Sequence, residues 1–385
     1  MKQILPRSFQ KRSTLPWGRA ALSTRAVEKT TEITEATEKG SRFHSVCSVF
    51  SVVDCKLTRY LPLTSNPVVI AIVSTIVIAT AMASVSRLSP VAFAAQARGG
   101  AAPAKAAPVA PAATFEDKFI TTSEGRRIHY VDWGNAGKRP LIMLHGINRT
   151  GHIFDKVAPF LHPDYHVIAM TLRGHGDSDW SPKHEYMAED HARDLHSLIE
   201  QLKLKDVVLN GNSMGGRVVQ VYAGQHPERV WKVVVDDVGP ERPESVTRTL
   251  TSRIGQETEG WASEEELLKS LQGNRTRTPE QEADLLERVR YESKRLPNGR
   301  VGWKYDPNIT AGLGPIELWP YVRKFKAPVL YIVGANSNLV PKETQAQLKA
   351  TLPNIEVLTI PDAGHTPHQD NPQVWLAVVK AFLAG

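Results

Sequence analysis

Ser213 lies in Gly211-Asn212-Ser213-Met214-Gly215, between the apolar run Val207-Val208-Leu209 and a second run that holds Val218 and Val219. A hydroxyl on a tight bend from strand to helix is presented clear of the sheet, as a nucleophile must be. Gly211 and Gly215 carry no Cβ, so the two elements can approach closely. The amide after the serine, at Met214, would point from a helix N-terminus toward a developing oxyanion. Gly-x-Ser-x-Gly also arises by chance, as a glycine-rich turn that happens to hold a serine. The strand before it and the helix after it favour the chemical reading.

Other reactive residues are poorly arranged for metal or redox work. His152, His162, His175, His184, His191 and His196 show no metal-ligand spacing, and His184-Glu185 lacks a second histidine at the required position. The 2 cysteines, Cys47 and Cys55, do not form a Cys-x-x-Cys pair. No metal and no cofactor is expected. The chain of 385 residues has a net charge of +7. Much of the excess sits early, around Lys2, Arg7, Lys11, Arg12, Arg19, Arg25 and Arg42, whereas later stretches such as Glu282 to Arg288 mix both signs. A basic stripe on a folded face is therefore missing, and no nucleic-acid partner is expected.

The elements that must position Ser213 begin late. Residues 1–66 are basic, rich in Ser and Thr and without lasting periodicity, which predicts little order. Within 67–94, Val68 to Val85 is uncharged and apolar, and Ala92-Phe93-Ala94 has the form of a cleavage site. Either translation starts downstream and this is a secretory signal, or the run stays as a membrane anchor. Both place the folded part outside the cytoplasm. Residues 95–114 are an Ala/Pro-rich linker.

From 115 the pattern is regular. Phe119 to Thr122 and Arg127 to Trp133 alternate like paired strands around Glu124-Gly125. Pro140 to Gly146, His166 to Met170, Val207 to Leu209, Val230 to Asp237, Ala327 to Gly334 and Ile355 to Ile360 read as buried strands. Phe154 to Leu161, Ala188 to Leu202 and Trp375 to Leu383 read as helices. Alternation of this kind predicts an α/β fold, a mostly parallel sheet covered by helices on both faces. Between 240 and 325 charged helical stretches (Glu264 to Leu271, Pro279 to Tyr291) and aromatic breaks suggest an inserted helical cap.

Four motifs in order give the chain from about 115 to 385 a clear resemblance to the α/β-hydrolases: His145-Gly146, Leu172 to Ser178, the bend at Ser213, and Asp362-Ala363-Gly364-His365. Arg149 to His152 and Asp237 to Pro240 add to the match. The resemblance implies a serine hydrolase with His365 as the base and His368 at the rim. It implies an oxyanion hole from the amides of Ile147 and Met214. The acid usual in the loop after the strand at Val329 is missing, since Gly334 to Val340 holds no Asp or Glu. Asp237, at the end of an earlier strand, is the first choice, Asp236 the second and Asn338 the third. A corner residue capping a turn is the competing role for Asp237.

Trp303, Tyr305, Trp319 and Tyr321 either line an apolar pocket or pack the cap onto the main domain. Arg149 either meets a substrate carboxylate or forms a structural ion pair. The implied activity is hydrolysis of a small-molecule ester or lactone through an acyl-enzyme. The alternatives are C–C bond hydrolysis of ring-fission products and a non-catalytic binding protein on the same scaffold. Oligomeric state is left open.

Overall fold

The computed structural model describes residues 113–242, 247–248, 251–252, 259–273, 277–314 and 316–385. The N-terminal region, the apolar run 68–85, most of the linker and both cysteines lie outside the described residues. Among the described residues no helix is long and apolar enough to cross a membrane.

Ten strands are described: β1 (Glu116–Thr121), β2 (Arg127–Asp132), β3 (Pro140–Leu144), β4 (His166–Met170), β5 (Val207–Asn212), β6 (Val230–Asp236), β7 (Ser293–Arg295), β8 (Val301–Trp303), β9 (Val329–Gly334) and β10 (Ile355–Ile360). Eight of them form one sheet in the order β1-β2-β4-β3-β5-β6-β9-β10. β2 runs antiparallel to β1 and β4, and the other pairs are parallel. The tight turn between β1 and β2 uses Gly125 at φ 79, a conformation that costs glycine little.

The central strands β3, β4, β5, β6 and β9 are buried at every residue or at all but Trp231. That explains why they read as continuous apolar runs: helices cover both faces. On one face α2 (Ala188–Gln201), α3 (Met214–Gln225) and α6 (Trp319–Val322) supply residues to a core with Ile142, Leu144, Leu209 and Val235. On the other, α1 (Ala158–Leu161) and α9 (Pro372–Ala384) pack over Leu141, Met143, Val208 and Ile332.

Two expectations change. Phe154 to Leu161 is not one helix. A 3₁₀ turn at Gly151–Phe154 and the short α1 share that stretch, because Pro159 lacks the amide a longer helix would need there. α7 (Lys342–Thr351) is a further helix that hydrophobic spacing alone did not reveal; it buries only Gln345 and Leu348.

The insertion between β6 and β9 holds α4 (Glu264–Gln272), α5 (Pro279–Glu292), the β7–β8 hairpin and a 3₁₀ stretch at Pro307–Leu313. Its helices start on real caps: Ser263 accepts from the Glu266 amide and Thr278 from the Gln281 amide. Leu267, Val289, Val301, Trp303, Tyr305, Ile309 and Leu313 pack into a cluster of their own, joined by Tyr186 from the main domain and touched by Ile147.

Candidate active site

Ser213 sits between β5 and α3 at φ 54 and ψ −114, a region that costs a non-glycine residue energy and persists only where packing enforces it. The enforcement is visible. A Cβ added to Gly215 would lie 2.2 Å from the Leu144 carbonyl oxygen, and one on Gly211 would lie 2.4 Å from the Gly215 carbonyl oxygen. The Gly215 amide donates to the His145 carbonyl at 3.0 Å, and the Ser213 amide to the Asp236 carbonyl at 3.1 Å. The bend is thus clamped to the ends of β3 and β6.

His365 follows β10, and its Nδ1 meets Asp237 Oδ2 at 2.8 Å. Asp237 has no exposed side-chain surface, and its backbone is also left-handed, at φ 52. The Gly334 amide donates to its Oδ1 at 3.1 Å and the Ser337 hydroxyl to its Oδ2 at 2.6 Å. The last residue of β9 and the loop after it, which lacks an acid, therefore supply donors to a carboxylate that directly follows β6. Asp237 does brace its corner through Gly334, and it also holds the imidazole.

The other two candidate acids are elsewhere. Asp236 is fully buried and accepts from the Trp375 indole N–H at 3.0 and 3.1 Å and from Asn210 at 3.3 Å. Burial pushes its carboxyl up to about 7, and the neighbouring Asp237 charge adds to the shift. Successive strand residues face opposite ways, which is why Asp236 lies among buried groups below the site. Asn338 is exposed and makes no described contact with His365. His368, expected at the rim, is instead fully buried between Phe154 and Trp375. Burial lowers its imidazole to about 3, so it stays neutral.

Asn212 Nδ2 donates to the His365 carbonyl at 2.9 Å. It thereby ties the loop that carries the imidazole to the residue preceding Ser213. Behind the other candidate donor, His145 is fully buried; its Nδ1 meets the Gly146 carbonyl at 2.6 Å and its Nε2 accepts from the Leu172 amide at 2.9 Å. That pair fixes the ring's tautomer and the backbone that leads into Ile147. A Cβ on Gly146 would come 3.7 Å from Ser213 Oγ, so this loop runs beside the serine. Among the described residues neither the Ile147 nor the Met214 amide donates to a protein acceptor, which leaves both available to a ligand.

Arg149 forms an ion pair: its Nε donates to Glu292 Oε1 at 2.6 Å, and Nη1 reaches Gln369 at 3.3 Å. Arg288 donates to the other Glu292 oxygen at 2.9 Å. Glu292, at the end of α5, so links the insertion to the Ile147 loop and to the helix after His365. Trp303 and Tyr305 are spent on the insertion's own core. Trp319 and Tyr321 pack on the main domain, the second of the two roles expected for them. Trp319 is buried in the main core with its indole N–H on Glu241. Tyr321 presses on Gly224, eleven residues along α3 from Ser213, or roughly 16 Å.

Asp117, His129 and His152 come together from three separate elements, with donor atoms within 4.8 Å of one another. No sequence spacing could show this set. It lies on the β1–β2 side, and each contact closes as a hydrogen bond or ion pair: Asp117 Oδ1 to the two Nε2 atoms at 3.0 and 3.2 Å, Thr171 to His129 Nδ1 at 2.8 Å and Asp155 to His152 Nδ1 at 3.0 Å.

Residues 139–372, which hold the strained serine after β5 and the histidine after the last strand, match the family model described as the alpha/beta hydrolase fold. The chain belongs to the α/β-hydrolase family. The α/β-hydrolases similar to it include a 3-hydroxybutyrate-oligomer hydrolase of Cupriavidus necator, 30% identical over 274 residues, spanning 67% of this chain and 93% of that protein. An sn-1-specific diacylglycerol lipase of Mus musculus is 30% identical over 262 residues, spanning 65% and 83%. The crystal structure of E-2-(acetamidomethylene)succinate hydrolase superposes with a TM-score of 0.64 at 24% identity, over 71% of this chain and 100% of that one; at that identity it shares the fold.

Proposed function

We propose that this α/β-hydrolase cleaves a carboxylic ester or lactone, with Ser213 as nucleophile, His365 as base and Asp237 as the orienting acid. The observation that carries the reading is the His365 Nδ1 to Asp237 Oδ2 contact at 2.8 Å, on a loop tied by Asn212 to the neighbour of a serine held at φ 54. A neutral imidazole whose Nδ1–H is fixed on a carboxylate has its Nε2 lone pair free to take the serine proton. The Ser213 oxygen then attacks the carbonyl carbon, and the oxyanion is met by the amides of Ile147 and Met214. His365 returns the proton to the departing alcohol, which leaves an acyl-serine. Water, deprotonated by the same imidazole, attacks the acyl carbon; Ser213 regains its proton and a carboxylic acid departs. Each oxyanion donor contributes about 3 kcal/mol in enzymes of this kind.

Two similar proteins carry names that imply ester substrates, an oligomer hydrolase and a lipase, and this supports ester over C–C bond cleavage. The insertion, read as a cap, restricts access to Ser213. The test is labelling of the folded chain by a fluorophosphonate, together with turnover of 4-nitrophenyl esters of graded length. Wild-type protein is expected to label at Ser213 and to release nitrophenol, and Ser213→Ala to do neither. Absence of labelling in folded wild-type protein would refute the nucleophile and favour a binding role.

A further inference from the structure

Arg217 lies on α3, four residues after Ser213. Residues at that spacing share a helix face, with Cβ atoms roughly 5–6 Å apart, and helical side chains lean toward the N-terminus. Arg217 therefore leans toward the serine end of the helix. Seven residues further along the same face is Gly224, where a Cβ would sit 2.6 Å from the Tyr321 carbonyl oxygen. This face of α3 accordingly looks onto α6. Arg242, five residues after Asp237, comes within electrostatic range of Arg217.

Both arginines are 7% exposed. Among the described residues neither makes an ion pair, and the Nε of each is buried without a hydrogen-bond partner. Among the described residues Arg242 has carbonyl contacts alone, Nη1 to Gly314 at 3.1 Å and to Gly312 at 3.4 Å. The adjacent acid, Glu241, is taken by the Trp319 indole. Burial and the neighbouring guanidinium both oppose the charge on Arg217, and among the described residues no carboxylate acts to restore it. A guanidinium does not shed its proton near neutral pH. Packing gives no reason for the charge, since methionine would fill similar volume without the desolvation cost. Buried and uncompensated charges are kept where something else supplies the counter-ion.

We propose that Arg217, with Arg242 beside it, receives a carboxylate on the acyl side of the substrate, so that the preferred esters carry an acid about 6 Å from the scissile carbonyl, a reach set by the i,i+4 spacing. The acyl side follows from α3 itself, whose first amide is the one assigned to the acyl carbonyl oxygen. This inference rests on the hydrolase reading above for its kinetic arm alone.

The kinetic arm compares 4-nitrophenyl hydrogen adipate with 4-nitrophenyl 6-oxoheptanoate, a neutral ester of the same length and leaving group. Wild-type kcat/KM is expected to favour the acid by about a hundredfold, as when one member of a buried charge pair is otherwise left without its partner. Arg217→Met should collapse that ratio toward one. It should also raise the Tm, because an unpaired buried charge has been removed. Arg242→Met should narrow the ratio less. A wild-type ratio near one, a ratio untouched by Arg217→Met, or an Arg217→Met protein that melts lower or fails to fold would overturn the proposal, the last by marking a structural partner for the arginine.

A binding arm needs no turnover. Calorimetry on Ser213→Ala should show monomethyl adipate binding at least about tenfold tighter than dimethyl adipate, and Ser213→Ala/Arg217→Met should lose the difference. Anion preference without hydrolysis of either ester would keep the carboxylate site and discard the hydrolase; hydrolysis without anion preference would do the reverse.

Discussion

Replacing Asp237 with asparagine should lower kcat by about 10⁴, which is about 5.5 kcal/mol of transition-state stabilisation. The size follows from the contacts. Asp237 Oδ2 receives both the His365 ring nitrogen at 2.8 Å and the Ser337 hydroxyl at 2.6 Å, and Oδ1 receives the Gly334 amide at 3.1 Å. An amide has one acceptor side. If its oxygen faces His365, its NH₂ confronts the Gly334 N–H. If it turns around, the NH₂ faces His365, whose proton must move to Nε2, and the base is lost. In neither orientation does a negative charge balance the imidazolium formed during attack. The assay is 4-nitrophenyl ester turnover at saturating substrate, with the rate of fluorophosphonate labelling beside it and thermal melting as the check on folding. Asp236→Asn is the control, since that carboxylate serves Trp375 and Asn210 and lies off the imidazole. A kcat within tenfold of wild type in a well-folded Asp237→Asn protein would sink the assignment.

Asp236→Asn has its own expected effect, on stability. With the carboxyl pushed up to about 7 by burial, the folded chain binds this proton more tightly than the unfolded chain does. Its contribution is full below the unfolded value near pH 4 and is lost as pH rises through about 7. The Tm advantage of the asparagine variant should therefore grow between pH 5 and pH 8 in scanning calorimetry, and parallel curves would count against the buried-acid reading. Gly215→Ala should abolish soluble protein or cost on the order of 3–5 kcal/mol, because the new methyl would meet the Leu144 carbonyl at 2.2 Å; a Tm within two degrees or so of wild type would contradict this. Glu292→Gln removes the charge between Arg149 and Arg288, held at 2.6 and 2.9 Å with the carboxylate 5% exposed. It should cost about 3 kcal/mol, or roughly 6–12 °C, by thermal melting, and an unchanged Tm would mean that the link carries no stability.

The sheet was legible because its strands are buried on both faces and announce themselves as apolar runs. β10 was placed to the residue at Ile355–Ile360, even though it is only partly buried, because Pro353 and Pro361 punctuate it. The serine bend was legible because glycine spacing and the change of period fall together. Less was legible where function depends on which way a side chain turns. His368 reads like a second loop histidine, but it falls on the inner side of α8 (Pro367–Asp370). Trp319 and Tyr321 were grouped with Trp303 and Tyr305 as aromatics of one segment, although α6 belongs to the main core. Asn212 and Ser337 carried no signal at all, since a single polar residue in a turn has many uses. Arg217 is adjacent to the motif and gives no signal in the sequence, because only the fold shows that among the described residues no carboxylate meets it.

The location proposed for the acid, at the end of β6, has a geometric basis. β6 and β9 are parallel neighbours, paired from Val233 with Val329 to Asp236 with Ile332, so their C-terminal ends open at the same place about 4.8 Å apart. A carboxylate leaving the end of β6 can reach the point that one after β9 would reach, provided that the β6 backbone turns early. Asp237 makes that turn at φ 52, with its amide on the Ile332 carbonyl at 2.8 Å. The loop after β9 holds no acid; Ser337 within it, and Gly334 at the end of the strand, donate to the Asp237 carboxylate instead. In the proposed triad the carboxylate stands at the end of β6, its support comes from the end of β9 and the loop after it, and the imidazole follows β10. Ser337→Ala should therefore weaken catalysis through the looser carboxylate, by about tenfold for one lost hydrogen bond to a charged group. A serine that merely decorates the loop would leave kcat unmoved.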